Sequence, residues 1–236
     1  MLEILRDNWL LFLVGQYPHG PVGGLAMTMF MATVSLLLCF PFAIALALAR
    51  LSGYRVLRLP ATAVVHTVRG LPLIMFIFWT YFFSPLLIGR AVGGVETLII
   101  ALIVYEAAYL SEIIRAGIEA LPKGQSEAAT ALGLRYWPRM IKVVLPQALH
   151  NVLPSMVSQF VSTIKETSLG YVISAHELTF AAAQVNNVLL TQPFEVYGIL
   201  ALTYFALCSA LTFAARVLER RMSAQRGGAP GVAVTA

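Results

Sequence analysis

The sequence predicts an all-α integral membrane protein of about five transmembrane helices, and three observations carry that prediction. Apolar residues make up 59% of the 236 and charged residues only 11%, against about 25% charged in a soluble domain. Mean hydropathy is +0.80. The few charges stand between long uncharged runs rather than being spread along the chain. A water-facing surface cannot be assembled from this composition. At about 20 residues per helical crossing, the length accommodates about five to seven crossings.

Residues 1–20 read as an N-terminal segment lying in the membrane interface. Glu3 and Asp7 flank a short apolar core, Trp9 to Val14, and no small-residue cleavage site follows, which argues for an amphipathic helix over a signal peptide. Residues 21–222 read as the membrane domain. Leu25 to Ala49 is the first span, with no charge in it, and Gly70 to Ile88 the second, between Arg69 and Arg90. The third must contain a carboxylate, because only nine residues separate Glu96 from Glu106, and it is placed at Val95 to Ile114. Val143 to Ile164 is the fourth and Val196 to Ala215 the fifth. The uncharged stretch Leu178 to Phe194 holds Gln184, Asn186, Asn187, Gln192 and Pro193, and predicts a short helix tucked into the protein at the outer face. Ser223 to Ala236, rich in Gly and Ala, reads as a disordered cytoplasmic tail.

Orientation follows from the basic residues. Under five spans, thirteen of the 16 lysines and arginines fall on one side: four after the first span, five in the loop from Arg115 to Lys142, four in the tail. Only Arg6, Arg90 and Lys165 oppose them. The C-terminus and the long loop are therefore expected in the cytoplasm and the N-terminus outside. The net charge of +5 is a matter of topology, not of nucleic-acid binding. No internal repeat is evident, and an odd span count does not divide into inverted halves.

The two cysteines, Cys39 and Cys208, lie in apolar runs and form no C-x-x-C or Cys/His set, so no metal site is expected. A phosphate-cradling G-x-x-x-x-G-K-[ST] loop is absent, as is H-E-x-x-H. No cofactor and no catalytic residue is expected. A transporter, or a part of one, is left.

The most informative stretch is Leu121 to Leu149, LPKGQSEAATALGLRYWPRMIKVVLPQAL. Ser126 reads as an N-cap with Glu127 in the first turn, then Ala128, Ala129, Ala131 and Leu132 favour helix, and Gly133 stops it. A helix of about two turns is marginal alone. It either docks through its small alanine face or serves as a solvated linker.

The run EAATALG, nine residues, Val143, one residue, Leu145-Pro146 resembles the EAA signature of ABC-transporter permease subunits. There the pattern is E-A-A, three residues, G, nine residues, I, one residue, L-P, and Val143 replaces the usual Ile. The resemblance implies a type I ABC-importer permease fold with a cytoplasmic coupling loop at 115–147. It implies that Glu127, Ala128, Ala129, Gly133, Val143, Leu145 and Pro146 form the contact with an ATPase. It further implies two cytoplasmic ATPase subunits that bind the ATP, a second permease copy or paralogue, and an extracytoplasmic amino-acid-binding protein. The chain itself hydrolyses nothing on this reading, and it sits in the bacterial cytoplasmic membrane. GLAMT, VRGLPL, YEAAYLSEIIRAGIEALPKGQ, VVLPQAL, KETSLGYVIS and the closing R-x-x-E-R-R resemble the polar-amino-acid uptake subfamily over Gly24 to Arg221. The tract EAAYLSEIIRAGI looks closest to glutamate/aspartate permeases, with basic or other polar amino acids as the alternative. Leu71 and Glu166 stand where that family often has Thr and Asp.

On the substrate path, Glu106 stands out. A carboxylate near mid-span costs about 2.5–3.5 kcal/mol on insertion scales, so it faces a cavity or a partner. Tyr109 shares its face. Two readings stay open: Glu106 meets a substrate ammonium, or it makes an internal ion pair or hydrogen bond. Lys165, Thr167 and Ser168 close the fourth span and either line a gate or lie in the headgroup region, with Lys165 neutralised by Glu166. Gln159 is a further lining candidate. Arg69 either anchors the cytoplasmic end of the second span or seals an inner gate.

Overall fold

The computed structural model describes residues 1–226, and all of the regular structure in them is helical. α1 (Leu2–Val14) is the expected N-terminal helix. It buries Ile4 and Phe12 against Leu178, Val185, Val196 and Ile199. α2 (Gly24–Leu51) and α5 (Gly94–Glu119) pack along their lengths and form the centre of the molecule. Their contact is made from small side chains, Ala43 and Ala47 on α2 and Ala107 on α5, which let two backbones approach closely.

The segment between the first two expected spans differs from expectation. Arg55–Gly70 is not a loop but a helix, α3, packed on α2 and α5. Ala61, Val65 and Val68 recur at helical spacing and are buried, while the arginines and Pro60 occupy the other faces. α3 ends at Gly70, and Leu71-Pro72 turns the chain by 110° into α4 (Leu73–Ile88). Pro72 has no N–H to continue a helix and restricts Leu71 to the extended conformation it adopts, φ −98°, ψ 140°. The region of the expected second span is thus a bent pair of helices that starts at Arg55, not a straight helix that starts at Gly70.

Three helices, α2, α5 and α10 (Pro193–Arg226), are long and apolar enough to cross a membrane, and four crossings result if the bent pair counts as one. The residues of the expected fourth span form a helix, α8 (Leu145–Glu166). Its 22 residues extend about 33 Å, but Gln147, His150, Asn151, Ser155, Ser158 and Gln159 make it too polar to qualify alone. Before it come α6 (Lys123–Ala131), the single turn α7 (Tyr136–Arg139) and a π-helical turn, Met140–Val144. Pro146 sits in the first turn of α8, where a missing N–H costs nothing. After α8 a 3₁₀ segment, Thr167–Ile173, leads to α9 (Leu178–Leu189), the expected tucked helix, with Ala181, Ala182, Ala183 and Val185 buried. α10 takes in Ser223–Arg226, four residues of the expected tail; the rest of that tail, 227–236, lies outside the described residues.

Candidate substrate path and coupling loop

Glu106 is the thirteenth of the 26 residues of α5 and is fully buried. From α8, Gln159 donates its side-chain amide to Glu106 Oε2 at 2.9 Å. Glu166, at the end of the same helix, brings its carboxyl against that of Glu106. Each carboxyl keeps one buried oxygen without a hydrogen-bond partner, Oε1 of Glu106 and Oε2 of Glu166. Two apposed acidic groups short of donors form a site that takes a proton or a cation. One face of α5 beside it is aromatic. The Tyr105 and Tyr109 hydroxyls are 3.2 Å apart, and Phe76 of α4 packs on Tyr105 at 6.2 Å between ring centroids.

The structure brings Glu106, Tyr109 and Gln159 into one neighbourhood and separates Lys165 from them. Lys165 is exposed on the opposite side of α8, beside Cys208, in a groove of about 630 Å³ that Val161, Tyr204 and Thr212 also line. The adjacent Lys165–Glu166 pair expected in the headgroup region is not formed: Glu166 faces mid-α5, and Cys208 is the sixteenth of 34 residues in α10. A 3₁₀ segment continues the chain past α8, whose end packs beside Glu106. Thr167 is buried and its hydroxyl donates to Ile164 O at 2.7 Å; Ser168 donates to Lys165 O at 2.6 Å.

Arg69 lies in the last turn of α3. Its guanidinium lies 5.2 Å from the centroid of the Tyr109 ring and 3.6 Å from Glu112, whose carboxylate also binds Arg50 of α2 and Arg115. This cluster was not foreseen, although the i, i+3 spacing of Glu112 and Arg115 is a signal for part of it. Nor was Glu177 foreseen. It is fully buried, caps α9 by accepting from Thr179 N at 2.6 Å and Phe180 N at 2.9 Å, and accepts from the Tyr204 hydroxyl at 3.1 Å. Burial pushes its carboxyl up to about 7, against the lowering effect of these donors.

In the loop between α5 and α8, α6 begins at Lys123 behind Pro122 rather than at Ser126. Ser126 is inside the helix, where its carbonyl accepts from the Thr130 hydroxyl at 2.8 Å. Gly133 does end the helix, at φ +80°, a conformation in which a Cβ is strained. α6 is tied to the polypeptide that follows it. The Thr130 hydroxyl accepts from Arg139, Gln147 donates to Gln125 at 3.4 Å, and Leu134 N donates to Ala129 O at 3.1 Å. Ala129 is buried by this packing, whereas Glu127 and Ala128 face outward. Val143 lies in the π-turn, and Leu145 and Pro146 start α8. The loop therefore presents Glu127 and Ala128 on a short helix tied to the start of α8.

Comparison with known proteins gives a concordant result. Residues 39–224 match the family model described as "Binding-protein-dependent transport system inner membrane component". The chain is 39% identical over 202 residues to the probable glutamine ABC transporter permease protein GlnP of Bacillus subtilis, covering 85% of this chain and 92% of that one. It is 31% identical over 205 residues to the glutamate/aspartate import permease protein GltK of Escherichia coli, covering 84% and 91%. A crystal structure of an amino acid ABC transporter with histidines superposes with a TM-score of 0.80 at 29% identity, covering 93% of this chain and 97% of that one. The chain belongs to the family of binding-protein-dependent transport system inner membrane components, and within it is an amino-acid ABC transporter permease.

Proposed function

We propose that the chain forms the translocation path of a binding-protein-dependent importer for polar amino acids, and that the Glu106–Glu166 pair with Gln159 holds the substrate ammonium. The observation that carries this reading is the buried, donor-poor carboxyl pair at the midpoint of α5. An α-ammonium supplies three N–H donors and one positive charge to two such oxygens. Tyr105 and Tyr109 add polar hydroxyls and an aromatic wall against which a cation rests well.

This site serves the ammonium common to all amino acids. The glutamate or aspartate expected from the EAAYLSEIIRAGI tract brings a side-chain carboxylate that two acidic groups repel. Glutamine, histidine or a basic amino acid suits the groups present better. The named relatives carry glutamine and glutamate/aspartate in their descriptions, so the reading commits to the polar class and favours uncharged or cationic members.

The complete importer, on this reading, has five crossings per permease with the N-terminus outside and the C-terminus in the cytoplasm of a bacterium. It contains two permeases, identical or paralogous, two ATPases docked on Glu127, Ala128, Ala129 and Gly133, and an extracytoplasmic binding protein. The permease is non-catalytic. Affinity purification of the tagged chain in mild detergent, with mass spectrometry of what accompanies it, tests the reading. A Walker-motif ATPase is the expected companion. Recovery of the chain alone, moving amino acids into liposomes without ATP, overturns it in favour of an ion-coupled carrier.

A further inference from the structure

Three guanidiniums from three helices surround Glu112. Arg50 of α2, its side chain only 8% exposed, and Arg115 of α5 both hydrogen-bond the carboxylate, and Arg115 also reaches Glu119 at 2.6 Å. Arg69 stands apart. At 3.6 Å from Glu112 it is beyond hydrogen-bonding range, and its N–H donors have no hydrogen-bond acceptor among the described residues. The cluster holds three positive and two negative groups, Glu112 and Glu119, and Arg69 is the cation left over.

Its position gives that surplus charge a use. Arg69 ends α3 at the break before Pro72, its side chain 37% exposed, with open space around Gly70 next to it. Its guanidinium lies over Tyr109, whose hydroxyl pairs with that of Tyr105. Tyr109 is three residues beyond Glu106, about 4.5 Å of helical rise. A partly exposed guanidinium with unused donors is free to take an anion, and its fork matches a carboxylate in both charge and shape.

We propose that Arg69 binds the α-carboxylate of the transported amino acid while the Glu106 site holds its ammonium; this rests on the permease reading above. Arg69 is then a specificity residue for the zwitterion. It excludes amines that lack a carboxylate, and its weak grip on Glu112 is what frees it for the substrate.

The test is equilibrium binding to the full chain in nanodiscs, using radiolabelled L-glutamine, L-histidine and L-arginine and the carboxamide of each. Arg69→Gln is expected to weaken binding of the free amino acids by about tenfold to a hundredfold, the worth of a charged hydrogen bond. Its affinity for the carboxamides should match that of the wild type, and Arg69→Lys should recover part of the loss. An equal loss for both forms would reduce Arg69 to a packing role and overturn the proposal, as would no loss at all. Binding that depends on Glu106→Gln but ignores Arg69→Gln overturns the role of Arg69 and leaves the permease site standing. A wild type that binds none of the six probes overturns both.

Discussion

Gln159 and Glu106 lie 53 residues apart in sequence and join α8 to α5 through one hydrogen bond of 2.9 Å. Glu166 and Thr163 stand beside the same Glu106 carboxyl. Gln159→Leu therefore removes one donor from a buried carboxyl. A loss of about 1–3 kcal/mol is expected, read as a lowered Tm in detergent. Glu106→Leu in the same chain should restore much of it, because both polar groups then leave together. Glu106→Gln should fold and lose uptake.

Gly117 is where α5 and α8 come closest. A Cβ there would stand 2.4 Å from Val152 Cγ1 and 3.3 Å from Ala148 O. Valine is β-branched and stiff, so the helices themselves have to move. Gly117→Ala should cost about 1–3 kcal/mol and Gly117→Val more, seen as reduced folded yield after size-exclusion chromatography. Val152→Ala should rescue Gly117→Ala, since the atom it meets is removed.

How much was legible in the sequence follows from which interactions are local. Uncharged runs locate α2, α4 and α10, because lipid requires an apolar stretch of each crossing by itself, whereas α5 is placed by the short gap between Glu96 and Glu106. Gly133 was legible as a stop because a left-handed residue is a property of one position. α3 was missed because its buried stripe is only Ala61, Val65 and Val68 while its arginines dominate a hydropathy reading. The approach of Glu166 to Glu106 was not legible because 60 positions separate them in sequence. For Arg69 the sequence leaves two readings open, an anchor at the end of the second span or a seal of an inner gate. Its contact with Tyr109 exists only once α3 folds back on α5.

Glu177 gives the chain a pH dependence outside its spans. Its pKa is raised to about 7, so the folded state holds the proton more tightly than the unfolded one. The sign follows: its contribution to stability is full below about pH 4.5, the ordinary value, and is lost as pH rises to about 7. Thermal unfolding of the detergent-purified chain should therefore weaken across this window. Glu177→Gln, which stays neutral, should flatten that slope relative to wild type. An unchanged slope in the variant would remove Glu177 as its source.

The coupling loop makes a prediction that separates signal from fold. Glu127 faces outward on α6 and forms no salt bridge among the described residues, whereas Ala129 beneath it is buried. Glu127→Lys reverses a charge on the surface and disturbs no internal contact, so the permease should insert and resist heat as before. An ATPase groove that receives Glu127 through a basic group meets a like charge instead, and substrate-stimulated ATP hydrolysis should fall to its basal level. Ala129→Leu attacks the other side of the same helix. It has to push α6 off the π-turn, so it should lower stability and coupling together. Normal stimulated hydrolysis in Glu127→Lys would place the ATPase contact elsewhere on the loop, and the exposed Leu132 and Trp137 would be the next side chains to replace.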